Sequence, residues 1–130
     1  MKVVINRCYG GYGLSKEAVL RYAELAGMTL YHDRDTFCDH YYKVPVAEYN
    51  RLYEESLQKR DLSPLDGLYF SDSEIDRTDP LLVQVVEELG EQSWGQFSEL
   101  TVVTIPDGVQ WEINDYDGME SIHESHRTWR

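Results

Sequence analysis

The chain has 130 residues, 42% of them apolar, with 24 acidic against 12 basic side chains and a formal net charge of −12. That length suits one domain with a single core, and no run approaches the ~20 apolar residues of a membrane-spanning helix. A field of this sign repels phosphate backbones, so ordinary DNA or RNA binding is disfavoured.

Cys8 and Cys38 form no CxxC pair and imply no disulfide framework. They read as plain thiols of a reducing compartment. Met1–Asn6 reads as a strand rather than a signal peptide, so a cytoplasmic location is expected.

In chain order, the β-branched Val3, Val4 and Ile5 make Lys2–Asn6 a strand. Three glycines then fall within four residues, Gly10, Gly11 and Gly13. They mark a loop with unusual backbone angles or a close approach. Ser15 is an N-cap for a helix to Ala26, with Val19, Tyr22, Ala23 and Ala26 on one stripe and Gly27 as the stop. Met28–His32 is predicted as a strand, Asp33–Asp39 as a loop and Tyr41–Val44 as a short strand. A second helix starts at Pro45, with Val46, Tyr49, Leu52, Tyr53 and Leu57 on one face. Leu68–Ser71 reads as a strand. Asp79-Pro80 opens a third helix that Gly90 ends. Leu100–Ile105 and Val109–Ile113, joined by Pro106-Asp107-Gly108, are expected to pair as a hairpin. Asp117 and Glu120 match a capping pattern for a last helix, Met119–Trp129. The expected fold is α+β: a single domain, residues 1–130, with a mixed or antiparallel sheet, a C-terminal β-hairpin and about four helices.

Two regions could carry chemistry. A glycine-rich turn feeding a helix offers backbone N–H groups and a positive dipole end to a phosphate, and Arg7 at its entrance could add a bidentate contact. The loop is neither GxGxxG nor GxxxxGK[ST], and a tight connection that only glycine fits explains it equally well. At the other end, His123, His126, Arg127, Trp129 and Arg130 concentrate basic and stacking groups in an acidic chain. Their plainer role is to pack beside Ile122 and offset a helix dipole. His123-x-x-His126 permits metal ligation with His32, His40 or a carboxylate, but no third ligand is positioned by spacing. No Ser/His/Asp, Cys/His or paired-carboxylate constellation stands out, so no catalytic residue and no metal ligand is expected.

Val4-Ile5-Asn6-Arg7-Cys8-Tyr9-Gly10-Gly11-Tyr12-Gly13-Leu14-Ser15 resembles the opening of a set of small bacteriophage and prophage proteins. Val83–Gly90, Val109–Ile113, Tyr116–Glu120 and His126-Arg127-Thr128-Trp129 resemble the same set, together covering roughly half the chain. The set is similar to the phage Thoeris anti-defence sponges, which sequester a cyclic ADP-ribose signal intact, and in some cases cyclic oligonucleotides. The resemblance implies a non-enzymatic, homo-oligomeric protein of the host cytoplasm that binds a small cyclic nucleotide and needs no cofactor. The expected ligand-binding residues are Asn6, Arg7, Gly10, Gly11, Tyr12, Gly13, Arg77, His123, Arg127 and Trp129. Arg7, Arg77 or Arg127 would neutralise phosphate, and Tyr12 or Trp129 would stack. Two rival readings are an acidic protein that docks on a host protein as a nucleic-acid mimic, and a small metal-dependent hydrolase using His123 and His126.

Overall fold

The structure, a computed structural model, describes residues 1–35 and 37–124. In chain order its elements are β1 (Lys2–Asn6), α1 (Lys16–Ala26), β2 (Tyr31–Arg34), β3 (Asp39–Tyr42), α2 (Val46–Lys59), β4 (Tyr69–Phe70), α3 (Pro80–Leu89), β5 (Leu100–Thr104), β6 (Trp111–Tyr116) and β7 (Met119–Glu124). Short 3-10 turns lie at Ser63–Leu65, Asp72–Glu74 and Gly90–Ser93. The chain is α+β, and every strand pairing among the described residues is antiparallel. No helix among the described residues is long and apolar enough to cross a membrane. Contacts divide the chain into two compact units, Met1–Tyr22 with Ile75–Arg130, and Ala23–Glu74.

In the first unit β1 pairs with β5, from Lys2 opposite Thr104 to Asn6 opposite Leu100. Val3, Val4 and Ile5 are all fully buried, so both faces of β1 are covered, which is why three consecutive apolar residues stand there. Leu82, Val83, Val85 and Val86 of α3 complete this core with Ala18 and Val19 of α1. The Asp79 Oδ1 atom caps α3 by accepting the Leu81 N–H at 2.9 Å, and Pro80 occupies the first helical position. Its Oδ2 accepts the Tyr22 hydroxyl at 2.6 Å. Burial, then the Asp79 carboxylate, pushes the Tyr22 pKa up to about 12. Asp79→Ala removes both the cap and the Tyr22 partner and is expected to cost about 2 kcal/mol in urea unfolding. Tyr22→Phe, which removes only the hydroxyl bond, should cost about half of that. Equal losses in the two variants would mean that the cap contributes nothing.

In the second unit β3 is central, pairing Tyr31–Arg34 on one side and Tyr69–Phe70 on the other. Tyr41, Tyr42 and Phe70 are the buried aromatic residues of its sheet, Ser56 is the buried residue of α2, and Tyr53 and Leu57 of α2 are left about half exposed.

The C-terminal hairpin is present, but not between the strands expected. Leu100–Thr104 is taken by β1, and the chain after Gly108 (φ +80°) departs from it. The hairpin is β6 with β7, from Trp111 opposite Glu124 to Tyr116 opposite Met119. The last helix is therefore absent over Met119–Glu124. Asp117 and Gly118 have φ of 50° and 88°, the two positive values of a type I′ two-residue turn. Asp117-Gly118 is thus a hairpin turn rather than an N-cap, and the alternation of β7 turns Glu120 inward. Residues 125–129 of the expected helix lie outside the described residues. Three α-helices stand among the described residues, where about four were expected in the chain.

Candidate functional site

The loop between β1 and α1 is organised by Asn6, which is fully buried. Its Nδ2 donates to the carbonyls of Cys8 (2.8 Å) and Gly118 (2.7 Å). Its Oδ1 accepts the N–H groups of Cys8 (3.3 Å) and Glu99 (2.9 Å). One amide thus ties the glycine loop to the segment before β5 and to the β6–β7 turn. The backbone N–H of Asn6 donates to Glu120 Oε1 at 2.8 Å.

Glu120 is buried, at 6% exposure, and Arg77 grips it with two hydrogen bonds of 2.7 and 2.8 Å. Arg77 also donates to the Val4 carbonyl at 3.1 Å and lies 3.4 Å over the centre of the Tyr12 ring. Burial pushes the Glu120 carboxyl up, but the Arg77 bonds and the Asn6 N–H outweigh it and hold it below the ordinary glutamate value. Arg77 is therefore committed to an internal carboxylate. A phosphate would have to displace Glu120 to reach it, and the Tyr12 face expected to stack is covered by the guanidinium.

The glycines serve close packing. A Cβ on Gly10 would overlap the Phe97 carbonyl, and one on Gly118 would overlap the Gly11 nitrogen. A Cβ on Gly95 would lie 2.9 Å from the Gly13 carbonyl, which also accepts the Gly95 N–H and the Ser98 hydroxyl. The start of α1 is closed as well: Ser15 Oγ accepts the Ala18 N–H at 3.1 Å and donates to the Gln92 carbonyl at 2.6 Å.

What this packing leaves open is a cleft of about 470 Å³ beside Gly10. Tyr9, Trp94 and Phe97 supply its rings, and Glu91 and Glu99 its carboxylates. Trp94 is anchored through its indole N–H to the Leu100 carbonyl at 3.1 Å. Tyr9 and Phe97 are each 64% exposed, and Tyr116 stands edge-on to Tyr9 with centroids 6.4 Å apart. Arg7 is exposed in sequence beside Cys8, and its N–H donates to the Glu99 carbonyl at 2.8 Å. Compared with known families, curated proteins and solved structures, the chain matches none.

Of the residues expected to form the site, Asn6, Arg7, Gly10, Gly11, Tyr12, Gly13 and Arg77 all belong to this first unit. Asn6, Tyr12 and Arg77 are structural in their contacts, Gly10 lines the cleft, and Arg7 precedes Cys8 of its lining in the chain. His123 is exposed on β7, its Nε2 2.9 Å from Ser121 Oγ. Arg127, Trp129 and His126 lie outside the described residues. Trp94, Phe97 and Tyr9 were not expected in the site. Trp94 and Phe97 stand between α3 and β5, and pairing of β1 with β5 is what brings that segment to Gly10.

A second group of reactive side chains lies in the other unit, at the tip of the β2–β3 hairpin. Asp35, Cys38 and His40 place three ligand-type atoms within 4.8 Å of one another. His40, through its hydrogen bond, followed by the Cys38 and Phe37 N–H groups, holds the Asp35 carboxyl far below the usual range. Desolvation by its neighbours, followed by the Asp35 carboxylate, raises the Cys38 thiol above its ordinary value, although the residue is exposed.

Proposed function

We propose that the chain binds a small cyclic nucleotide of the cyclic ADP-ribose type and sequesters it intact, using the cleft beside the glycine loop. The observation that carries this reading is the cleft: solvent-facing rings of Tyr9 and Phe97 and an anchored Trp94, gathered around backbone that glycine keeps thin. Exposed rings are costly in water and offer faces on which a base stacks, worth about 1–3 kcal/mol per base. Glu91 and Glu99 would accept hydrogen bonds from the amino group of a base and repel phosphate. The base end therefore enters, and the phosphates face outward, where Arg7 supplies the positive charge. The ligand class itself comes from the likeness to the phage anti-defence sponges.

Calorimetric titration with cyclic ADP-ribose isomers tests this site. Phe97→Ala and Tyr9→Ala should each weaken binding by ~10–100-fold, the equivalent of one lost stacking contact. Arg7→Ala should weaken it and flatten its salt dependence. Undiminished affinity in Phe97→Ala and Tyr9→Ala would exclude the cleft as the site.

A further inference from the structure

We propose that the tip of the β2–β3 hairpin is a transition-metal site, in which Asp35 Oδ2, Cys38 Sγ and His40 Nε2 hold one divalent ion of the zinc class. Sγ lies 3.4 Å from Nε2 and 3.9 Å from Oδ2, and Oδ2 lies 2.7 Å from Nε2. Donor atoms around tetrahedral zinc are about 3.3–3.8 Å apart, given bond lengths of about 2.0–2.3 Å. The sulfur is already placed at that spacing. The Asp35–His40 hydrogen bond must open by roughly 0.6 Å to admit the ion, a small rotation for a carboxylate side chain that is 52% exposed.

The Asp35 and His40 donors are oriented from behind. Asp35 Oδ1 accepts the N–H groups of Phe37 (2.7 Å) and Cys38 (2.8 Å), which leaves Oδ2 turned to the thiol and the imidazole. The other ring nitrogen of His40, Nδ1, faces the Tyr69 hydroxyl at 3.3 Å, and the Tyr42 ring stacks beside it. A histidine whose second nitrogen is held by an outer partner presents a fixed tautomer and direction to a metal. The strand register keeps these groups together: Asp33 stands opposite His40, Arg34 opposite Asp39, and the Asp35 N–H closes the turn onto the Cys38 carbonyl.

A thiolate, a carboxylate and a neutral imidazole balance the charge of a dication. The mix of sulfur, nitrogen and oxygen selects zinc or cobalt over magnesium and calcium. With three protein ligands, the fourth position faces solvent, open to water or an external ligand.

The full chain, stripped with chelator and titrated with cobalt(II), tests this. The expected result is one equivalent bound, with a thiolate-to-cobalt charge-transfer band and the visible bands of a tetrahedral ion, all erased by zinc. Cys38→Ser should abolish the charge-transfer band, and Cys8→Ser should leave it intact. Tyr69→Phe, which touches no ion, should weaken cobalt affinity by ~10–100-fold through the lost outer bond. Circular dichroism checks that the variants remain folded. No thiolate band in the parent chain, or a band that survives Cys38→Ser and is lost in Cys8→Ser, would overturn the site. Asp35, Cys38, His40 and Tyr69 do not line the aromatic cleft, so the metal site and the nucleotide site can fail separately.

Discussion

Glu120→Ala is expected to destabilise the chain by about 3–5 kcal/mol in denaturant unfolding, because it leaves the partly buried Arg77 guanidinium and the Asn6 N–H without their acceptor. The carboxylate accepts three hydrogen bonds, two from Arg77 and one from Asn6. Its folded-state pKa lies below its unfolded value, so its contribution is complete above the ordinary glutamate range. That contribution is lost as pH falls through the lower folded value. Stability of the parent chain should therefore drop on acidification below the glutamate range, and Glu120→Ala should show a shallower drop. Replacing both partners by apolar residues, as in Arg77→Met with Glu120→Leu, should recover much of the loss, since the expensive state is a buried charge left alone. An Ala variant within about 1 kcal/mol of the parent would show that the pair is no more than a surface ion pair.

Asn6→Ala should cost a similar amount, about 3–4 kcal/mol, by leaving the N–H groups of Cys8 and Glu99 and the carbonyls of Cys8 and Gly118 to find other partners. Asn6→Asp separates the two halves of this role. It keeps the acceptor for the two N–H groups but loses both donors and places a carboxylate against two carbonyls. It should be at least as destabilising as Ala, despite its nearly identical shape. Because Asn6 ties the glycine loop to the segment holding Phe97 and Trp94, both variants should also lose the cleft. A stable Asn6→Asp protein would mean that the amide donors do little.

The parts of this fold that were legible in the sequence are those set by local chemistry. Asp79-Pro80 with Gly90 bounds α3 because cap, proline and stop act within one turn of the helix. Ser15 and the Val19 and Ala23 stripe likewise locate α1. The parts not legible depend on distant partners. Leu100–Thr104 could pair with a neighbour across a turn or with β1, and only burial of both faces of Val3–Ile5 decides for β1. Asp117-Gly118 serves equally as a helix cap with Glu120 or as a type I′ turn. The pull of Glu120 toward Arg77, 43 residues away, favours the turn. The glycine loop was visible as a place of close approach, but what approaches it, Phe97 and Gly118, was not. Asp35, Cys38 and His40 lay divided between an expected loop and the approach to a strand. Only the register of β2 on β3 makes them neighbours.

The most direct test of the proposed function is a thermal-shift screen of the purified chain against cyclic ADP-ribose isomers, cyclic di- and trinucleotides, NAD and ADP-ribose, with each compound recovered afterwards. A ligand at a hundred times its dissociation constant adds about 2.7 kcal/mol of stability, a shift of several degrees for a chain of this size. The expected result is such a shift with a cyclic compound, recovered unchanged, and its loss in Phe97→Ala. No shift with any of them, or recovery of a cleaved compound, would contradict sequestration.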